Sequence, residues 1–283
     1  MREDHILART QQEVAARRMA EIEYRWGGWK RRVLPLVVLA LFAAWVVAPG
    51  TLPQKLLWSM GGVCGLRPAH SYFAGDLQLP LEARMIGIYG GFMVTFLLLL
   101  VLGRWGARRL GHPLTIGLLA VMFGSMAFDG INSTLMEMQL PSLYTTTNLI
   151  RLATGLLSGA ALAPFMLWLA GVVLLPKDSR NVRAVVRCPW ELPLLIAVNV
   201  GFGALVVSQS AVLYYPLALL GVGGLIVVLA CVFLLPIVTL SNLDGRVSHI
   251  RQLIAPASFA LILTFAALAG LAVLRWTTGS AVV

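Results

Sequence analysis

Three charged residues stand where charge is costly: Arg84, Asp129 and Arg151 each lie inside or at the edge of a long apolar run. In a bilayer such a side chain costs about 2.5–3.5 kcal/mol near the centre and less near the ends, so each asks for a partner. Arg84 and Arg151 open their runs and Asp129 closes its own. A cation at a helix N-terminus and an anion at a C-terminus both oppose the helix dipole, and mutual pairing relieves both. The expected pairing joins Asp129 to Arg84 or Arg151 and Glu82 to the other arginine, with Asn132 and Asn148 completing the hydrogen bonds. Such a cluster is either a clamp between helices or, through surplus arginines at helix N-termini, a site for an anionic group such as phosphate or carboxylate.

Arg67 and His70, in "CGLRPAHSY", are placed to join this group from the preceding loop. The remaining histidines, His5, His112 and His249, lie outside the apolar runs, which argues against axial haem ligation. Cys64 and Cys188 fall on opposite sides of a core about 30 Å thick and cannot share a disulfide. The third cysteine, Cys231, stands inside an apolar run, and no metal or cofactor set is expected. The chain carries no H-E-x-x-H, no P-loop and no G-x-S-x-G. An enzyme using Asp129 or Glu82 as acid or base ranks last, since carboxylates neutralised by arginine are poor general acids.

The elements that must hold these residues follow from hydropathy. Of 283 residues 59% are hydrophobic and 12% charged, with a mean hydropathy of +0.84, so the chain belongs in a membrane. Apolar runs at 33–49, 85–103, 113–133, 152–175, 192–209, 216–239 and 253–274 are each near the roughly 17–25 residues that span a bilayer as a helix. The expected fold is an all-α polytopic bundle of about seven transmembrane spans. Asn199 and "GFG" interrupt the fifth run, and Asn199 is expected to hydrogen-bond another helix. Pro236 marks an early break in the sixth. The pairs Gly87 with Gly91 and Gly155 with Gly159 suit close helix packing.

Lys and Arg are retained on the cytoplasmic side of such bundles. With the N-terminus inside, 17 of the 22 fall on that side and five, Lys55, Arg67, Arg84, Arg151 and Arg275, on the other. The expected topology is therefore N-terminus cytoplasmic and C-terminus outside. Topology and anionic lipid account for the net charge of +10 without nucleic acid.

Residues 1–32 form a cytoplasmic N-terminal segment ahead of the bundle at 33–283. Residues 3–26 lack Gly and Pro and carry a modest apolar stripe, Leu7, Val14 and Ile22, which favours a solvated or lipid-surface helix or, alternatively, one that docks a protein partner. Trp26 and Trp29 are interfacial anchors, and Gly27 and Gly28 end the helix. A cleavable signal peptide is not expected, because five acidic residues precede the first apolar run. Outside, the long connection 51–84 contains "LLWSMGGVCGL", too short to span and expected at the interface or dipping into it. No internal repeat is visible, which leaves repeat-built transporters unsupported.

"CGLRPAHSYFAGDLQLPLEARMIGIYGG" followed by "FDGINSTLMEMQLPSLYTTTNLIRLATGLLSG" resembles the prokaryotic membrane proteins of the domain of unknown function 2085 family. The family reads C-H-x-x-x-x-R-S, then L-P-x-C-x-R-C-x-G-x-Y-x-G, D-G-x-x-Q, and S-T-N-x-x-R-x-x-x-G-x-x-x-G. The matching residues are Cys64, Ser71, Leu79, Pro80, Arg84, Gly87, Tyr89, Gly91, Asp129, Gly130, Thr147, Asn148, Arg151, Gly155 and Gly159, so the likeness covers roughly 60–165. The resemblance implies a bacterial or archaeal cytoplasmic membrane and no established activity. Where relatives carry a His and two further Cys, this chain has Gly65, Glu82 and Met85. Thiolates with imidazole would suggest zinc or another soft metal, but Cys64 alone cannot supply such a site.

Together these features favour a non-enzymatic scaffold or accessory membrane component with a polar cluster at its outer face. The alternative is binding or transport of an anionic small molecule or lipid headgroup. A membrane enzyme acting on a lipid-linked substrate comes third.

Overall fold

Backbone N–H and C=O groups in lipid must find partners within their own segment, and the long apolar runs accordingly become helices. The computed structural model describes residues 13, 26–175, 183–243, 245, 247 and 250–278. The helix expected over residues 3–26 lies almost wholly outside the described residues. Among the described residues there are eight α-helices: α1 (Lys30–Val47), α2 (Leu52–Met60), α3 (Ala83–Val101), α4 (Pro113–Glu137), α5 (Asn148–Leu174), α6 (Leu192–Val207), α7 (Tyr214–Leu240) and α8 (Ile254–Thr277). Between α2 and α3 stands a two-stranded antiparallel hairpin, β1 (Ser71–Ala74) and β2 (Leu77–Glu82).

Six of these helical segments are long and apolar enough to cross a membrane. The first expected span, 33–49, falls on α1, whose apolar stretch follows Lys30, Arg31 and Arg32 and which is bent by 120° from α2. The count of seven thus holds when this broken pair is taken as one span. α7 runs through Pro236 to Leu240, so the early break does not occur. Proline removes one donor, but the turn around it is held by the buried Leu235 and Val238, and a packed membrane helix tolerates the loss.

The hairpin was not foreseen in the all-α expectation. Gly75 and Asp76 form its two-residue turn, with Gly75 at φ +60°, a conformation glycine adopts without steric cost. Leu79, Leu81 and Ala74 are buried against α3 and α7, so the hairpin seals one end of the bundle core.

At the centre α3 lies against α5. A Cβ on Gly155 would collide with the carbonyl oxygen of Arg84, and one on Gly159 with that of Ile88. On the facing helix, a Cβ on Gly87 would lie 2.7 Å from the Leu152 carbonyl oxygen. Small residues here let two backbones touch, as the glycine spacing predicts. α6 packs on both helices, α7 on α3, α8 on α7, and α4 on the flank of α5. Asn199 of α6 donates from Nδ2 to Thr95 Oγ1 of α3 (2.7 Å) and to Leu195 O (2.8 Å), the interhelical bond expected of it. From the far end of the chain, the Arg275 guanidinium of α8 donates to the carbonyl oxygens of Gly61, Cys64 and Gly65.

Candidate functional site

The hairpin, the loop before it and the adjoining ends of α3, α4 and α5 bring the expected charged residues to one place. Arg84 is the second residue of α3, which starts directly after β2. Arg151 lies in the first turn of α5, whose N-terminus is capped by Thr147 Oγ1 accepting from Ile150 N (3.4 Å). α4 extends to Glu137, so Asp129 sits two turns inside the helix and not in its last turn. The dipole therefore bears on Asp129 less than expected, and Glu137 is the carboxylate at the helix end.

Arg84 Nη2 donates to Asp129 Oδ2 (2.6 Å) and Ser133 Oγ (2.7 Å). Asp129 is fully buried. Its Oδ1 accepts from Tyr144 OH (2.9 Å), and Oδ2 also accepts from Thr154 Oγ1 (3.4 Å). One guanidinium and two hydroxyls thus satisfy a carboxylate that would otherwise be an uncompensated buried charge.

Glu82 does not meet Arg151. Its Oε1 accepts from Arg67 Nε (3.3 Å) and from the Arg67 backbone N (3.0 Å), because the loop before the hairpin folds back over the end of β2. Arg67 Nη1 reaches Glu137 Oε2 (3.0 Å), and Glu137 Oε1 lies 3.8 Å from Arg151 Nη2 and 3.9 Å from His70 Nδ1. Burial opposes the Arg67 charge, but the hydrogen bond to Glu137 and the field of Glu82 outweigh it and raise its pKa. His70 moves the other way: burial, then the Arg151 and Arg67 charges, lower its pKa and favour the neutral ring. Three arginines therefore face three carboxylates, and the cluster is close to neutral.

The two asparagines act at the edges. Asn132 does not bond the ion pairs; its Nδ2 donates to Tyr144 O (2.8 Å) and Thr146 Oγ1 (3.1 Å), and its Oδ1 accepts from Leu143 N (2.8 Å). It pins the α4–α5 loop, which in turn delivers the Tyr144 hydroxyl to Asp129. Asn148 accepts from Arg151 Nη1 (3.2 Å) and donates to Ala69 O (2.9 Å).

Glu137, Ser133, Tyr144 and Thr154 were not foreseen. The only signal for Glu137 was one further helical turn of "STLME", and the hydroxyls carried none.

Positions 64, 65 and 82 do converge. Glu82 N donates to Cys64 Sγ (3.2 Å), and a Cβ on Gly65 would lie 2.6 Å from Glu82 Oε1. The residues present suit an ion pair with Arg67 and not a soft metal. Burial pushes the Cys64 thiol up and keeps it protonated. Among the described residues no group of three His, Cys, Asp or Glu is placed to hold a metal ion.

Residues 64–165 match the family described as predicted membrane protein (DUF2085). Every ion-pair member named above falls within the matched residues, which run from Cys64 into α5. No curated protein and no solved structure matches the chain.

Proposed function

We propose that this membrane protein is a non-enzymatic scaffold or accessory component, and that the Arg67, Glu82, Arg84, Asp129, Glu137 and Arg151 cluster is a structural clamp. The observation that carries the reading is the charge balance: each arginine has a carboxylate, and Asp129, the most buried of them, has all its hydrogen bonds inside the protein. Carboxylates held this way make poor acids or bases. On the topology expected from Lys and Arg, the clamp closes the outer face of the bundle in a prokaryotic cytoplasmic membrane. Residues 1–32 would then meet a protein partner on the other side.

A second reading rests on one atom. Arg151 Nη2 is buried and has no hydrogen bond, leaving a guanidinium at a helix N-terminus able to take an anion in exchange for distant Glu137.

Thermal unfolding of the full chain in mild detergent, with and without inorganic phosphate, separates the two. The clamp requires Arg84→Gln and Arg151→Gln to unfold at lower temperature, with no phosphate effect on the unmodified chain. A phosphate-dependent rise that Arg151→Gln abolishes, while keeping full stability, overturns the clamp in favour of an anion site. For the partner, removal of residues 1–32 should release any stoichiometric companion retained on gentle extraction, and retention of that companion would sink the docking role.

A further inference from the structure

The opposite end of α4 and α5 holds a different feature, independent of the clamp. Towards the clamp the two helices are tied by Asp129, Thr154 and the loop between them. Away from it a laterally open cavity of about 670 Å³ lies between them. Its walls are Ile116, Ala120 and Phe123 on α4, spaced to share one helix face, and Ala161, Phe165 and Trp168 on α5. At the end of this apolar slot stands Arg109, the charged residue among its lining.

Arg109 is held there by its backbone. Its N donates to Arg183 O (3.4 Å), its carbonyl accepts from Val185 N (2.9 Å), and Trp168 Nε1 donates to the carbonyl oxygen of the preceding Arg108 (3.2 Å). Its side chain is exposed and, among the described residues, makes no ion pair or hydrogen bond. Arg104, by contrast, is spent on Glu191, and Arg108 bonds Leu175 O.

We propose that this groove binds one anionic phospholipid, with an acyl chain between α4 and α5 and the phosphate on Arg109. The occupant follows from three features. Both helices have span character, so the open side of the groove faces acyl chains. The walls are apolar, and Arg109, positioned through its backbone, lies at one end of them, where a headgroup would be. On the expected topology this is the cytoplasmic side, where basic pockets between membrane helices take anionic headgroups.

The test is native mass spectrometry of the delipidated full chain titrated with phosphatidylglycerol and phosphatidylcholine of identical acyl chains. The unmodified protein should retain phosphatidylglycerol preferentially. Arg109→Gln should lower that preference about fivefold. Arg32→Gln, which removes an equal charge elsewhere, should leave it intact. Ala120→Phe, at an exposed wall position, should weaken both lipids by filling the slot. Bromine-labelled acyl chains should quench tryptophan emission less in Trp168→Phe than in the unmodified chain, an arm that needs no charge substitution. Unchanged preference in Arg109→Gln, unchanged retention in Ala120→Phe, unchanged quenching in Trp168→Phe, or equal stabilisation by inorganic phosphate alone would overturn the proposal.

Discussion

The two ends of the helix bundle treat arginine in opposite ways. At the hairpin end, Arg67, Arg84 and Arg151 are turned inward onto Glu82, Asp129 and Glu137. At the other end, among the described residues, Arg104 pairs internally with Glu191 (2.5 Å), while Arg109 is left exposed beside an apolar groove. The contrast separates arginines that hold one element to another from Arg109, whose side chain has no such partner among the described residues. In the hairpin-end cluster the partners are carboxylates, while Arg108 and Arg275 tie distant parts of the chain through backbone carbonyl oxygens.

The largest break in this contrast should come from Asp129→Asn, which leaves Arg84 without its counter-charge. We expect a loss of about 3–5 kcal/mol on thermal or denaturant unfolding in detergent, with partial recovery in the Arg84→Gln, Asp129→Asn double variant. A loss under about 1 kcal/mol would put the pair in the class of exposed salt bridges and remove the clamp.

Gly159→Ala comes next. It leaves every charge in place but forces α3 from α5, and should cost about 1–3 kcal/mol by overpacking. Cluster geometry that survives in this variant, read from unchanged Tyr144 hydroxyl exchange, would show that the clamp does not depend on the glycine seam.

Tyr144→Phe removes one hydrogen bond to Asp129 and should cost about 1 kcal/mol. A neutral result would show that water replaces the hydroxyl.

His70 provides a pH test. Its pKa in the folded protein lies below the ordinary value of about 6.5, so on acidification the unfolded chain takes up the proton first. Its contribution is therefore to make stability fall as pH drops below about 6.5, until the folded ring also protonates. His70→Gln should narrow the difference in melting temperature between neutral and mildly acid pH, and an unchanged difference would place the acid sensitivity elsewhere. The smallest effect belongs to the other end: Arg109→Gln should alter lipid-free stability by no more than about 0.5 kcal/mol.

Much of this was visible in sequence because the bilayer imposes long uniform apolar runs, and because a charge inside such a run must be answered. Arg84 with Asp129, the Gly155 and Gly159 seam and the Asn199 bond all follow from that logic. What escaped it lies where lipid imposes no rule. The hairpin at 71–82 had its turn signal in Gly75 and Asp76, but its strands are short and its buried residues are met only by distant α3 and α7. Glu82 pairs with Arg67 and not with Arg151, and sequence distance says nothing of how the 51–84 connection folds back. Glu137 was hidden because α4 continues one turn beyond its apolar stretch.

The Arg275 contacts carry a consequence for how the molecule is made. The carbonyl groups of Gly61, Cys64 and Gly65 are reached by a guanidinium more than 200 residues later in the chain. During synthesis the loop before the hairpin and α3 to α5 are made first, yet those three carbonyl groups wait for α8 to arrive. Those contacts therefore form only once α8 has been made and packed, and a chain lacking α8 would leave the three carbonyl groups without this guanidinium.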